Sequence, residues 1–469
     1  MKDKFDVVIV GAGPAGLYCA YKINLENPNI KIAVLEKGKE IKDRKCPAIE
    51  KNIKCVNCKV CSIMSGIAGA GAFSDSKFPI TNDFGGTLWE KIGKEKSLEL
   101  QHEVDKINHS LFLETKTDGI DDFPKMYSSK DSIYKKICTQ HNLHLLDADI
   151  RHLGTDIGQV VYGQLFKKLK SQKSISFYCN EEVKKIEKSS EGNYSIFTES
   201  NIFSANKLVL AVGRSGSEWM EKVCKSLNIE TKANKVDIGV RFECPDEIWN
   251  HITKDLYESK IVYRTKLYED EVRTFCMNPS GAVVSENTNG LITVNGHSFE
   301  DPTKKTSNTN FALLVSQSFT EPFNNSSEYG DAIVRLSNML GGGVIVQRYG
   351  DLIRGKRSTK KHIAQNTVRP TLEAEPGDLS LVLPKRILDD IIEMIQKLDH
   401  LVPGMMNDDN LLYGVELKRY NFSVCVKDDL SVKDYPGLYV LGDGSGWTHC
   451  LSQASASGLF VGNEIVKNF

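Results

Sequence analysis

The most constraining feature of this chain lies between Phe5 and Glu36. Phe5-Asp6-Val7-Val8-Ile9-Val10 is a short β-branched apolar run, the kind of segment that lies buried on both faces of a parallel sheet. Gly11-Ala12-Gly13-Pro14-Ala15-Gly16 follows at once, then a helix-like stretch from Leu17 to Leu25, then a second apolar run from Ile30 to Leu35 closed by Glu36. Strand, glycine turn, helix, strand and acid in that order form a βαβ unit in which each glycine has its own task. Gly11 permits the tight turn, Gly13 lets backbone approach a pyrophosphate, and Gly16 lets helix and strand pack closely, with the helix N-terminus facing the anion. Glu36 stands where it can accept hydrogen bonds from an adenosine ribose.

The remaining chain is long enough to add to this unit. Its 469 residues correspond to roughly three domains of about 150 residues, or to one large α/β domain with a substantial insertion. Hydrophobic residues at 40% and charged residues at 26% exclude collagen, wholesale disorder and small disulfide-stapled scaffolds. The 60 Lys and Arg balance 61 Asp and Glu, so no whole-chain attraction to nucleic acid or anionic membrane is expected. The start of the chain runs directly into the first strand without signal-peptide architecture, and no run approaches the roughly 18 apolar residues of a membrane span. A soluble, cytoplasmic protein is the expectation. Of the twelve Cys, four crowd into one loop as Cys46, Cys55, Cys58 and Cys61, and the others read mostly as core thiols of a reducing compartment.

Beyond Glu36 comes an irregular segment containing those cysteines and a glycine-rich stretch, Gly69-Ala70-Gly71-Ala72-Phe73-Ser74-Asp75-Ser76-Lys77, whose backbone could approach a cofactor. Residues 158–170 have helical spacing, and Ile175 to Ile202 alternate as strands. A second apolar strand then ends in Ala211-Val212-Gly213. The following Arg214-Ser215-Gly216-Ser217 misses the G-x-S-x-G spacing of a nucleophilic serine by one position. From Asp237 to about His400 the composition shifts to longer mixed strand and loop sequence. Within that stretch the basic run Arg354 to His362 reads as solvated surface in preference to a phosphate or carboxylate site. Leu438-Tyr439-Val440-Leu441 is a third apolar strand, followed by Gly442-Asp443-Gly444 and a small-residue helix from Gln453 to Phe460. The predicted organisation is a nucleotide-binding domain over 1–235, an inserted mixed α+β substrate or cap domain over 236–400, and a return to the first domain over 401–469.

Strand–GxGxxG–helix–strand–Glu, strand–Ala-Val-Gly and strand–Gly-Asp in this order resemble the glutathione-reductase-like FAD-binding fold. The resemblance implies that Asp443 serves the ribityl chain and that Ala211 to Gly213 line the adenosine end. The whole chain is also similar to the family of predicted FAD-dependent dehydrogenases, on Arg44 to Pro47, Cys55 to Cys61, Gly69 to Lys77, Gly239-Val240-Arg241, Asn295-Gly296 and Gly414-Val415-Glu416. Ala68 and Ser76 stand where that family's pattern has glycine. Carried over, the FAD contacts are Gly11, Gly13, Pro14, Ala15, Gly16, Glu36, Lys37, Gly71, Ala72, Phe73, Ser74, Ala211, Gly213, Gly442, Asp443 and Gln453.

Three functions compete on these residues. The first is an FAD-dependent oxidoreductase acting on a small organic substrate by hydride transfer, with Arg241 anchoring an anionic substrate and His449 delivering a proton, and with Cys450 beside it near the flavin. The second is a flavin electron-transfer protein with a redox protein partner, in which Cys46, Cys55, Cys58 and Cys61 hold an iron–sulfur cluster or zinc. The same four could equally be flavin-linked redox thiols or uncommitted ones. The third, an RNA-modifying flavoprotein, has only the Arg354 to His362 run in its favour. No second strand–GxGxxG–helix unit occurs between Gly213 and Gly442, because Gly341-Gly342-Gly343 precede their apolar run; any NAD(P)H is therefore expected as a transient reductant without a nucleotide domain of its own.

Overall fold

The opening strand shows no polar alternation because both its faces are covered: Val7, Val8 and Ile9 have 0% exposure. Lys2–Val10 lies inside a seven-stranded sheet, flanked in parallel by Ile32–Glu36 on one side and Ile202–Leu210 on the other. Ile175–Cys179 runs parallel beyond Ile32–Glu36. Strand Ile202–Leu210 serves two neighbours in succession. Its first half pairs antiparallel with Tyr194–Phe197, and Leu208 to Leu210 pair in parallel with Leu438 to Val440. The three apolar runs read from the sequence are therefore neighbours in one sheet, and the expected α/β class is the class observed. The computed structural model describes residues 2–51, 56, 58–115, 122–189, 192–288, 290–298, 302–323, 325–420 and 422–469.

Helix Pro14–Glu26 lies against helix Leu451–Lys467 at backbone distance. A Cβ on Gly458 would stand 2.2 Å from the Ala15 carbonyl oxygen, and one on Gly462 would stand 2.7 Å from Lys22 Cβ. Glycines four apart share one helix face. Their missing side chains set the spacing of the two helices.

The chain forms two compact units, Met1–Met126 with Asp149–Lys232 and Asn421–Phe469, and Tyr127–Ala148 with Ala233–Tyr420. The second is built on an eight-stranded sheet in the order Glu375–Pro376, Ile345–Arg348, Leu411–Arg419, Val236–Pro245, Asn308–Gln317, Glu271–Asn278, Ile261–Arg264 and His144–Leu145. Along Val236–Pro245 the side chains alternate. Val236, Ile238, Val240 and Phe242 join Trp249, Ile252, Ile391, Met394 and Ile395 in an apolar core, while Asp237, Arg241 and Glu243 occupy the opposite face.

This division corrects the expected boundary at 400. Strand Leu411–Arg419 pairs antiparallel with Val236–Pro245, so the second unit continues to Tyr420. It also takes in 127–148, because His144 and Leu145 pair with Val262 and Ile261. Composition changes at neither junction.

Candidate functional site

The three sequence motifs meet in the first unit through their glycines. Gly11 has φ +102°, and a Cβ on it would lie 2.6 Å from the Ala211 carbonyl oxygen. A Cβ on Gly16 would lie 2.0 Å from the Gly11 carbonyl oxygen, one on Gly442 2.9 Å from Ala15 Cβ, and one on Gly444 2.4 Å from the Val212 carbonyl oxygen. These contacts lock the first turn, Ala211-Val212 and the Gly442 turn together. Gly13 is different. It has ordinary extended backbone at φ −70°, and a Cβ there would meet nothing within 4 Å. The fold itself does not demand glycine at 13.

Gly13 is the N-cap of helix Pro14–Glu26, which begins with Pro, has no side-chain cap and carries no acid in its first turn. Its terminal amides and dipole thus face outward without an internal anion. Gly213, at the end of the middle motif, likewise has nothing within 4 Å of a built Cβ. Asp443 lies half-buried on the third motif, where its Oδ1 accepts from Thr448 Oγ1 at 2.9 Å.

Glu36 is buried, and it is more engaged than a pure ribose acceptor. Its Oε2 accepts from the Ala12 amide at 3.0 Å, and its Oε1 accepts from the amides of Gly38 and Gly66, each at 2.9 Å. Three of the roughly four acceptor positions of the carboxylate are filled, which leaves one on Oε2. Glu36 therefore fastens the Gly66 loop to the first turn. Glu36→Gln would aim amide hydrogens at one or two of these buried donors, a loss of about 1–3 kcal/mol per unsatisfied group. A urea midpoint unchanged from wild type would contradict that reading.

The glycine-rich loop is held from both ends. Ala68 N donates to the Ala12 carbonyl at 2.7 Å, and a Cβ on Gly69 would be 3.2 Å from Gly13 Cα. Arg44, buried, donates to the carbonyls of Ser62, Ile63 and Ile67 at 2.7–2.8 Å and lies 4.5 Å from the Phe73 ring centroid. Gly71 and Ala72 are buried in the short turn Gly69–Phe73, and Ser74 Oγ donates to the Gly71 carbonyl. Ala68 and Ser76 both have left-handed backbone, at φ 67° and 51°, which explains the glycine of the family pattern at each. Ser76 is accommodated because residue 158 is Gly, whose Cβ would stand 2.0 Å from Ser76 Oγ. Lys37 reaches out to the Ser215 carbonyl at 3.4 Å.

Several expected roles are revised. Arg241 has 0% exposure, and its guanidinium donates to Asn310 Oδ1 at 2.8 Å, to both Glu416 oxygens at 3.1 and 3.3 Å, and to the Cys276 carbonyl at 2.6 Å. With its donors spent on buried partners, it is a structural cation of the second unit and not a substrate anchor. Gln453, fully buried, donates through its amide to the carbonyls of Thr81 and Phe84, clamping that loop. Cys450 is the N-cap of helix Leu451–Lys467, its Sγ accepting from the Gln453 amide at 3.5 Å. His449, half-buried, donates its main-chain N–H to the Gly85 carbonyl at 2.8 Å. Cys46 is half-buried and Cys58 and Cys61 are exposed, all as free thiols; Cys55 lies outside the described residues, among which no metal-holding group of three or more His, Cys, Asp or Glu occurs. The basic run is ion-paired: Arg354 with Asp408 at 2.8 Å and His362 with Asp351 at 3.0 Å.

Sequence reasoning missed one cluster. Lys77 and His152 are cross-strand partners, and Asp75 Oδ2 lies 3.1 Å from Lys77 Nζ and 3.8 Å from His152 Nε2. Burial alone would raise the Asp75 carboxyl, but Lys77 and His152 overcome it and hold the group well below the usual carboxylate range. Asp75 and Lys77 sit in the glycine-rich segment already singled out. His152 reaches them only through strand pairing, which leaves no local signal.

The first unit is thus a parallel, glycine-turned nucleotide-binding domain, joined in sequence to a unit built on an antiparallel sheet. Residues 235–419 match the family model described as FAD-dependent protein, C-terminal domain-like, which bears out the family resemblance read from the sequence. Residues 3–41 match the Thi4 family. Over 33 residues the chain is 59% identical to thiamine thiazole synthase 4, chloroplastic, and equally to thiamine thiazole synthase 3, both of Physcomitrium patens, a match that covers 7% of this chain and 9% of each relative. Among solved structures, glycine oxidase from Geobacillus kaustophilus aligns over 99% of this chain and 95% of its own with 11% identity and a TM-score of 0.43. The flavoprotein FrdA of E. coli quinol fumarate reductase aligns over 100% and 71% with 14% identity and a TM-score of 0.41.

Proposed function

We propose that the chain is an FAD-dependent oxidoreductase acting on a small organic substrate. The observation that carries this reading is Gly13: a glycine the fold does not require, at the uncapped N-terminus of a helix, with open space where its Cβ would be. A pyrophosphate would take that place, with the first-turn amides as donors. The residues fit the rest of the cofactor: the one remaining acceptor position of Glu36 for a ribose, Gly213 with open space beside it, and Asp443 for the ribityl chain. FAD, when bound, supplies the hydride chemistry. The chain binds and orients it, and His449, on the turn between Asp443 and the final helix, holds the proton exchanged with substrate.

Residues 233–420 support a single nucleotide domain. Their main sheet is almost wholly antiparallel, and Gly341 to Gly343 precede strand Ile345–Arg348 instead of following one. Reducing equivalents therefore enter at the flavin directly, from substrate or from transient NAD(P)H.

Heat-denatured protein is expected to release stoichiometric FAD; failure to take up FAD on reconstitution would sink the proposal. His449→Asn should retain FAD yet slow anaerobic flavin reduction by an active small organic substrate about a hundredfold, with one limb of the pH–rate profile lost. An unchanged rate and profile would remove His449 from the chemistry.

A further inference from the structure

The polar face of the second unit's sheet gathers cations around two aromatic rings. Lys260 Nζ lies 4.0 Å and Lys418 Nζ 3.9 Å from the Phe275 ring centroid, and Arg273 Cζ lies 5.4 Å from it. Lys418 and Lys235 also stand 5.3 and 5.6 Å from the Tyr420 centroid. Register explains the convergence. Arg273 pairs with Leu314 and Phe275 with Ala312, while Gly239 and Arg241 pair with those same two residues from the other side, so Arg273 and Phe275 share the face of Arg241. Lys418 is the cross-strand partner of Asp237 on that face.

The cations are held in place. Arg273 is bonded to the buried Asp237 and to Tyr420, Lys260 is bonded to the buried Glu258, and Lys235 Nζ lies 3.5 Å from Ser316 Oγ. Two ammonium groups 4.0 and 3.9 Å from one centroid are within 8 Å of each other, and like charges at that range in a half-buried setting repel. Aromatic faces attract each cation but neutralise none of the charge. Phe275, Arg273, Lys418 and Lys235 are only half-buried, so solvent reaches the cluster.

We propose that this cluster is an anion site that takes a small organic carboxylate, bridged by Lys260 and Lys418. One carboxylate accepting at about 2.8 Å from each nitrogen spans such a gap and relieves the repulsion. The fixed side chains make the site preorganised, so little ordering is needed on binding. The proposal names a substrate class for the oxidoreductase reading and rests on that reading for calling the ligand a substrate. The anion anchor assigned to Arg241 from sequence passes to the lysines on neighbouring strands.

The test is thermal unfolding of the purified full chain titrated with sodium malonate, against malonamide, sodium chloride at matched ionic strength and inorganic phosphate. Malonate should raise the Tm saturably, malonamide and chloride should not, and phosphate should act more weakly. Lys418→Met should abolish the malonate response while leaving the ligand-free Tm equal or higher, and Lys418→Arg should keep the response. A malonate shift that persists in Lys418→Met, or is reproduced by malonamide or chloride, overturns the site; a stronger response to phosphate overturns the carboxylate assignment. So does no response to malonate at any concentration. FAD content is read on the same samples: a flavin-free protein that still shows the lysine-dependent shift defeats the oxidoreductase reading alone.

Discussion

Gly13→Val protein is expected to purify folded and without flavin. The backbone at 13 lies in a region open to any residue, and the new side chain meets nothing within 4 Å of its Cβ, so the cost to stability should stay within about 0.5 kcal/mol. The same branched side chain stands directly before the helix N-terminus, where the pyrophosphate would lie. FAD affinity should fall at least about a hundredfold, ~2.8 kcal/mol. Flavin absorbance and apoprotein melting curves measure the two effects separately. Gly16→Val gives the contrast: its Cβ would sit 2.0 Å from a carbonyl oxygen, so it should damage the fold itself. A Gly13→Val protein that keeps its full complement of flavin would remove the main support for the cofactor site.

The second large effect concerns Arg241. Truncating it to Ala strands Glu416 in the interior along with the acceptors of Asn310 and Cys276, a loss of about 3–5 kcal/mol. That is a large share of the roughly 5–15 kcal/mol that holds a domain folded. Arg241→Lys should recover only part, since one ammonium cannot reproduce the planar fork that reaches three partners. Burial pushes the Glu416 carboxyl up to about 7 even with Arg241 pulling it down. A carboxyl raised in the folded state favours folding while protonated and loses that contribution as pH rises through its folded value. Without Arg241 the folded value rises further, so the deficit should be greater above about pH 7 than near pH 5. Urea unfolding at the two conditions measures it. A small, pH-independent deficit would show that the network is not what holds this face of the sheet.

What could be read directly from the sequence was local and consecutive. The tasks of Gly11 and Gly16 follow from their place between a strand and a helix, and the structure assigns each the close contact its position implies. Glu36 was identified as an acceptor, but its backbone donors at Gly38 and Gly66 come from a loop whose path no periodicity records. Arg241 was misread for a related reason. A strand reports which face a side chain takes, not whether the opposite strands bring Glu416 and Asn310 to enclose it. Cys450 beside His449 looked like chemistry, and only the start of the final helix shows that its thiol caps that helix. Lys77 with His152, and Lys418 with Phe275, become neighbours through register between strands far apart in the chain.

The interleaving of the two units has a consequence for the order of events during synthesis. The middle strands of the antiparallel sheet, Val236–Pro245, Asn308–Gln317, Ile345–Arg348 and Leu411–Arg419, come from one continuous stretch and can close before the last fifty or so residues have left the ribosome. The parallel sheet cannot. Its first strands emerge early, yet Leu438–Val440, the Gly442 turn over Ala15, and the helix whose glycines meet Pro14–Glu26 all arrive last. Until then the Gly13 turn lacks one wall, so the newborn chain should be exposed to proteases within its first two hundred residues while its middle is already resistant, and nucleotide capture should follow release from the ribosome.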